Sequence, residues 1–335
     1  MAYNWFASYL NNRQQFVQFN ETSSSRHVIK CGVPQGSILG PLLFLLYIND
    51  LCNVSQVLDF ILFADDTNIF FSHKDKDILE KTMNDELLKL TGWCLANKLS
   101  INYSKSKFMI FKPRQKNLDF DVRFEINNCP IERVKETIFL GVVLDEHLNW
   151  KAHISNVSRK IAKSIGIIFK SRFCLSLSSL RTLYYSLVYP YLMYCVSVWA
   201  STYPTNLNRI IILQKRLVRI FSNQSFDAHT APLFRELKIL RFTDIFLFQL
   251  GKFMYLFKLG LLPEIFNGLF FTNNQMHSYN TRKSNAFHIF PCRSNLRRFA
   301  IRFQGPKFFN SLPDNIKNAV SISHFKTKLK AFLLS

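Results

Sequence analysis

The chain has 335 residues, of which 48% are hydrophobic and 15% aromatic, a composition that excludes a disordered polymer and leaves room for two domains with real cores. Its net charge of +21 is unevenly placed: residues 1–150 hold 16 Lys and Arg against 17 Asp and Glu, whereas residues 151–335 hold 27 against 5. Such one-sidedness points to a polyanionic partner, nucleic acid first and a membrane surface second, ahead of a solvated basic face with no partner.

The N-terminus, Met1-Ala2-Tyr3-Asn4-Trp5-Phe6, has neither a basic n-region nor a long apolar core, so no signal peptide is expected. Gln15–Phe19 and His27–Cys31 flank a polar Asn-Glu-Thr-Ser-Ser-Ser run and read as the arms of a hairpin. Next comes Gly32-Val33-Pro34-Gln35-Gly36-Ser37-Ile38-Leu39-Gly40-Pro41, a loop fixed by its glycines and prolines. Pro41 is placed to open a helix over Leu42–Leu51. Glycines let a backbone approach a ligand closely, and the Gln35 amide suits a base edge or a sugar. Taken alone, the same loop reads better as one that simply leads into a buried helix.

Asp65 and Asp66 stand side by side between the apolar runs 60–64 and 69–71. These β-forming runs predict a hairpin over Phe60–Phe71 with an acidic tip, and their apolar character on both faces predicts burial in a sheet. Adjacent anions at a tip repel unless a cation joins them, and hard oxygen ligands suit Mg²⁺. A polar turn is the bland alternative. Leu79, Met83, Leu87, Leu90 and Cys94 then recur at helical spacing, with Asp75 or Asp77 as N-cap, and this helix is expected to pack under the acidic hairpin.

Residues 112–136 read as a polar connection with short strands, and Phe139–Asp145 as a strand leading to Trp150. From Lys151 onward strand signals fade and helices dominate. Leu183–Ala200 is very apolar, but Pro190 and its length favour a buried helix pair over a membrane span. In Leu207–Phe221, Ile210, Leu213 and Leu217 form one face, while Arg209, Arg216 and Arg219 share the other as candidate phosphate contacts. Towards the C-terminus Arg282, Arg297 and Arg298 join Arg293, Arg302 and Lys307 among Phe287, Phe290, Phe299 and Phe303; the aromatics are expected to be mainly core. Seven scattered Cys without a C-x-x-C pair fit reduced thiols of an intracellular protein, and His277, His288 and Cys292 match no zinc-finger spacing.

Gly32–Leu51 (GVPQGSILGPLLFLLYINDL) followed by Phe63-Ala64-Asp65-Asp66 resembles the reverse transcriptases of non-LTR (LINE-type, jockey-like) retrotransposons. Leu99–Phe111, Phe139–Asp145 with Leu148-Asn149-Trp150, Tyr189–Trp199 and Tyr279-Asn280-Thr281-Arg282 follow in that family's order. The resemblance implies an α+β fold: a partial right-hand polymerase palm over 1–111, a connection and primer-grip-like hairpin over 112–150, and a basic, mainly helical thumb and C-terminal region over 151–335. It implies RNA-directed DNA synthesis with RNA template, DNA primer and dNTPs as partners, Mg²⁺ (or Mn²⁺) as cofactor, and a nuclear or cytoplasmic location without membrane. Asp65 and Asp66 would hold the metal, and Lys105 would lie near the leaving pyrophosphate. Pro34, Gln35, Gly36, Ser37 and Gly40 would shape the template–nucleotide pocket, and Leu140 and Gly141 the primer grip.

One departure stands out. The family takes a further metal-binding Asp from a strand preceding the Gly-Pro-Gln-Gly-like loop, whereas Met1–Cys31 contains no Asp and one acid, Glu21. A polymerase that begins partway through the palm is the expectation, with a non-catalytic nucleic-acid-binding remnant as the alternative.

Overall fold

The computed structural model describes residues 2–30, 32–33, 36–112, 121–276 and 283–335. Pro34, Gln35 and Arg282, together with His277 and the rest of the Tyr279–Arg282 motif, lie outside the described residues. The protein mixes helices with short strands and divides into two compact units, Met1–Phe108 with Lys116–Val134, and Met109–Gln115 with Lys135–Ser335.

In the first unit, α1 (Ala2–Leu10) leads into two nested antiparallel pairs, Gln14–Gln15 with His27–Val28 and Gln18–Phe19 with Thr22–Ser23. They form the hairpin expected from the polar run, turning at Asn20, whose φ of 53° suits a turn Asn. Helix α2 spans Gly40–Ile48 and continues as a 3₁₀ turn over Asn49–Val54. It therefore starts two residues before the expected Leu42, with Pro41 in its first turn, where a missing N–H costs nothing.

The acidic hairpin comprises β1 (Asp59–Phe63) and β2 (Asp66–Phe70), in register from Asp59↔Phe70 to Phe63↔Asp66. Its expected burial does not hold. No third strand pairs with either edge among the described residues, and Phe63 is 60% exposed while Phe60 and Leu62 on the other face are half-buried. An apolar run suggests cover on both faces, but a ribbon of two strands buries at most one.

Helix α3 (Lys76–Ala96) is capped by Asp75, whose carboxylate accepts from the N–H groups of Asp77 and Ile78 at 2.9 and 3.0 Å. Its stripe buries Leu87, Leu90 and Cys94 as expected, while Leu79 and Met83 remain half-buried. The helix packs chiefly on the 3₁₀ turn and on strand Glu125–Ile126 rather than under the acidic hairpin. Its apolar stripe specified a face but not which element covers it. Lys107–Phe108 pairs in parallel with Glu132–Arg133, and Glu125–Ile126 with Cys129–Pro130.

The second unit begins with a hairpin, β3 (Glu136–Phe139) and β4 (Val142–Asp145), and is otherwise helical. Its elements are α4 (Lys151–Ser171), α5 (Leu177–Leu187), α6 (Tyr189–Met193), α7 (Val196–Trp199), α8 (Pro204–Phe221), α9 (Thr230–Glu236) and α10 (Phe242–Lys258). Then come α11 (Asn273–Met276), α12 (Asn295–Phe299), α13 (Ile301–Ser311), α14 (Asp314–Lys317) and α15 (Ile322–Leu334). One core gathers β4, α4–α9 and the start of α10 around Ile161, Leu192, Trp199, Ile210 and Leu217. A second, Phe-rich core lies between the rest of α10 and α13–α15, centred on Met254, Phe309, Phe325 and Leu329. Gly251 and Gly305 are fixed by this packing, since an added Cβ would meet Leu329 at 2.8 Å and the Met254 sulfur at 2.5 Å.

The Leu183–Ala200 segment breaks at Pro190, as its sequence suggests, and buries Tyr184, Val188, Leu192, Val196 and Trp199. No described helix is long and apolar enough to cross a membrane. Gln214 is the chief polar group within the first core. Its amide donates to Tyr184 Oη (3.2 Å) and the Leu240 carbonyl (2.9 Å) and accepts from the Phe242 N–H (2.7 Å), joining α5, α8 and the start of α10. Six described cysteines are free thiols.

Candidate functional site

The two carboxylates sit where the β1–β2 turn puts them. Ala64 and Asp65 are its two loop residues; Ala64 takes φ 51°, the positive value that the first position of a primed hairpin turn needs. Asp66 opens β2 opposite Phe63. Both side chains are exposed, and neither joins an ion pair or side-chain hydrogen bond among the described residues. Among the described residues no cluster of three or more His, Cys, Asp or Glu occurs. Two bare adjacent carboxylates are nonetheless a fitting donor set for Mg²⁺, which usually binds one or two carboxylates, keeps several waters and takes the rest of its shell from substrate phosphates.

The loop before α2 is organised by its own hydroxyl. Ser37 Oγ accepts from Tyr9 Oη at 2.8 Å and from the Gly40 N–H at 2.9 Å, satisfying an otherwise orphan donor of the first helical turn. Gly40 is buried there, while Gly36 holds φ 80° with open space on its side-chain side. Lys105 lies in an exposed turn whose backbone N–H is held by Asn102, and no ion pair joins it to Asp65 or Asp66.

Leu140 and Gly141 form the β3–β4 turn, with φ 45° and 80°, the two positive values of a type I′ turn. Tyr194 reaches across to this tip: its hydroxyl donates to the Leu140 carbonyl at 2.6 Å, and its ring lies 3.5 Å from where a Cβ on Gly141 would stand. At the other end of β4, Asp145 is buried. Its carboxylate accepts from the N–H groups of His147 (3.0 Å), Asn149 (3.0 Å) and Trp150 (3.0 Å) and from the Asn149 side chain (3.0 Å). These bonds hold Leu148 and Trp150 in left-handed conformations and bury Trp150 at the start of α4. His153, one turn into α4, accepts the Val143 N–H on Nδ1 while its Nε2 has no partner. Burial, reinforced by the Lys160 charge, holds its pKa below the usual histidine value, so the ring is neutral. The roles of Asp145, His153 and Tyr194 were not apparent from the sequence; the donors to Asp145 are mostly backbone groups, which carry no residue signature.

Of the candidate cations, Arg209 and Arg216 are exposed two turns apart on α8. Arg219 is partly engaged, its Nε donating to the Ala228 carbonyl at 2.9 Å and its guanidinium lying 5.8 Å from the Phe226 ring centre. Arg297 is exposed on α12, and Arg298 donates to the Cys292 carbonyl at 3.4 Å. The Tyr203 and Phe299 rings meet edge-on at 5.0 Å, which sets α12 beside the start of α8. Phe287 is core, whereas Phe290, Phe299 and Phe303 are half-buried and Arg302 and Lys307 lie over the first and last of these.

Residues 1–144 match the family model described as "Reverse transcriptase (RNA-dependent DNA polymerase)". The chain is 28% identical over 245 residues to the probable RNA-directed DNA polymerase from transposon X-element of Drosophila melanogaster, covering 71% of this chain and 26% of that protein. It is also 28% identical over 250 residues to the RNA-directed DNA polymerase from mobile element jockey of the same species, covering 71% of this chain and 27% of that one. The chain thus spans about a quarter of the length of the curated relatives it matches. No solved structure matches at a significant level. Matching motif, turn and relatives agree in one direction: over residues 1–144 this chain resembles the reverse transcriptases, and the relatives it matches are RNA-directed DNA polymerases of mobile elements.

Proposed function

We propose that this chain carries part of the active centre and the nucleic-acid-binding region of an RNA-directed DNA polymerase. The observation that carries the reading is the Asp65–Asp66 pair, bare and exposed at a strained two-residue turn within the family match. In the reaction, a primer 3′-oxygen attacks the α-phosphorus of a dNTP paired to an RNA template; the new P–O bond forms as the bond to the leaving pyrophosphate breaks. Asp65, with Asp66 as second ligand or electrostatic support, would hold Mg²⁺ or Mn²⁺. When bound, the ion neutralises phosphate charge and activates the attacking oxygen. Gly36 offers a side-chain-free backbone to the template and nucleotide, Pro34 and Gln35 complete the pocket, and Ser37 and Gly40 hold the loop in shape. Lys105 supplies a cation for the pyrophosphate. Leu140 and Gly141 present the primer-grip turn. Residues 1–111 act as palm, 112–150 as connection and grip, and 151–335 as basic thumb and C-terminal region; Arg209, Arg216, Arg219, Arg282, Arg297 and Arg298 contact phosphates.

The test is primer extension on an RNA template with Mg²⁺. Extension that falls by more than about 100-fold in Asp65→Ala, as expected for loss of a direct metal ligand, supports the polymerase. RNA binding without any extension in the wild-type chain supports the non-catalytic binder instead.

A further inference from the structure

The strongest charge feature of the second unit includes the arginines of α8 but begins well before them. From His147 to Phe226 the sequence contains no Asp or Glu, yet eleven Lys and Arg occur there. None of these Lys or Arg joins any of the four ion pairs among the described residues. Self-repulsion on this scale is relieved by a polyanion.

On α4 the cations are aligned. Arg159, Lys163 and Lys170 follow at spacings of four and seven, which set them on one ridge, all exposed. The ridge runs about 16 Å along the helix at 1.5 Å per residue. Gly166 occupies the same ridge between Lys163 and Lys170. Glycine is among the poorest helix formers, and nothing in the fold demands one here: its φ is ordinary and an added Cβ would meet no atom within 4 Å. A bare stretch of helix backbone between two lysines is what close approach of a ligand strand requires. At the end of α4 the Arg172 guanidinium lies 3.7 Å from the Phe169 ring centre and 4.1 Å from that of Phe173, and Phe173 is 77% exposed. A flat cation stacked on exposed rings is a platform for an unpaired base.

We propose that the Arg159–Lys163–Gly166–Lys170 ridge tracks the phosphates of a single-stranded nucleic acid, and that the Phe169–Arg172–Phe173 stack at the helix end receives one of its bases. This rests on the reading above that the chain binds template or primer, and assigns it a surface and a strand state.

The experiment measures fluorescence anisotropy of the full chain with a 20-nucleotide single-stranded RNA and with a duplex of equal length, across a salt series. The Arg159→Gln/Lys163→Gln/Lys170→Gln variant should lose about 2 from the slope of log affinity against log salt, three contacts at ~0.7 each. Phe173→Ala should bind the single strand about tenfold more weakly, one stacked base lost, with duplex affinity unchanged. Gly166→Leu separates ligand from fold: it should raise the melting temperature, through better helix propensity, while weakening RNA binding. Wild-type slope and affinity in all three variants overturn the assignment even if primers are still extended. So does an equal loss on the duplex, or binding to phosphatidylserine vesicles that RNA does not compete away. A wild-type chain with no RNA affinity sinks the polymerase reading as well.

Discussion

The hairpins β1–β2 and β3–β4 share a design and differ in what their tips meet. Both turn through two residues with at least one positive φ, at Ala64 in β1–β2 and at Leu140 and Gly141 in β3–β4. The first carries two exposed anions on a tip that makes no ion pair or side-chain hydrogen bond among the described residues, on a ribbon with one apolar face open. The second is held at its tip by Tyr194, along β4 by His153 and at its base by Asp145. A tip left charged and bare is available to a ligand. A hairpin bonded at its tip, along one strand and at its base is a rigid support, placed by its own unit.

Substitutions should separate the two. Asp145→Ala leaves several buried N–H groups without their acceptor and should cost about 3 kcal/mol or more, read as a lower denaturation midpoint. An unchanged midpoint would mean that the β4–α4 corner does not depend on it. Gly141→Ala puts a side chain at φ 80°, against the Tyr194 ring, and should cost about 1–2 kcal/mol by chemical denaturation. Tyr194→Phe removes one hydrogen bond at that tip and should cost about 1 kcal/mol in the same assay.

The His153 contact predicts a pH dependence. Its folded pKa lies below the unfolded value, so its contribution is complete above about pH 6.5 and declines as pH falls below that. Protonation would set an N–H on Nδ1 against the Val143 N–H. The fall in melting temperature from pH 7.5 to 5.5 should therefore shrink in His153→Gln. Smallest of all, Asp65→Asn should change stability by less than about 0.5 kcal/mol, as an exposed side chain without partners, even where it abolishes extension. A marked destabilisation would show that the acidic tip is a structural turn.

Much of this was legible in the sequence, for reasons of period and turn chemistry. The Asp pair declared itself by lying between two β-forming runs, Asp75 by preceding an apolar stripe, and the faces of α8 by 3.6-residue spacing. Tertiary choices were not legible. Ile61 and Phe63 read as buried because apolar residues carry no mark of whether another element covers them. Gly141 reads as room for a passing backbone, but its φ and the nearness of Tyr194, more than fifty residues on, exist only in the fold. Asp145 reads as the polar end of a strand, because acceptors of backbone N–H groups leave no pattern in side-chain identities.

Gln214 has a consequence beyond the bonds it makes. An apolar residue in its place would suit the core, yet leucine or methionine accepts many helix rotations with similar energy. An amide with its donors and its acceptor spoken for by three different segments accepts one. Turning α8 by a single residue would swing Arg209 and Arg216 by about 100° and carry the amide away from Tyr184, Leu240 and Phe242 together. One buried side chain thus works as an indexing pin, converting the position of a greasy helix into a fixed heading for the charges on its far side.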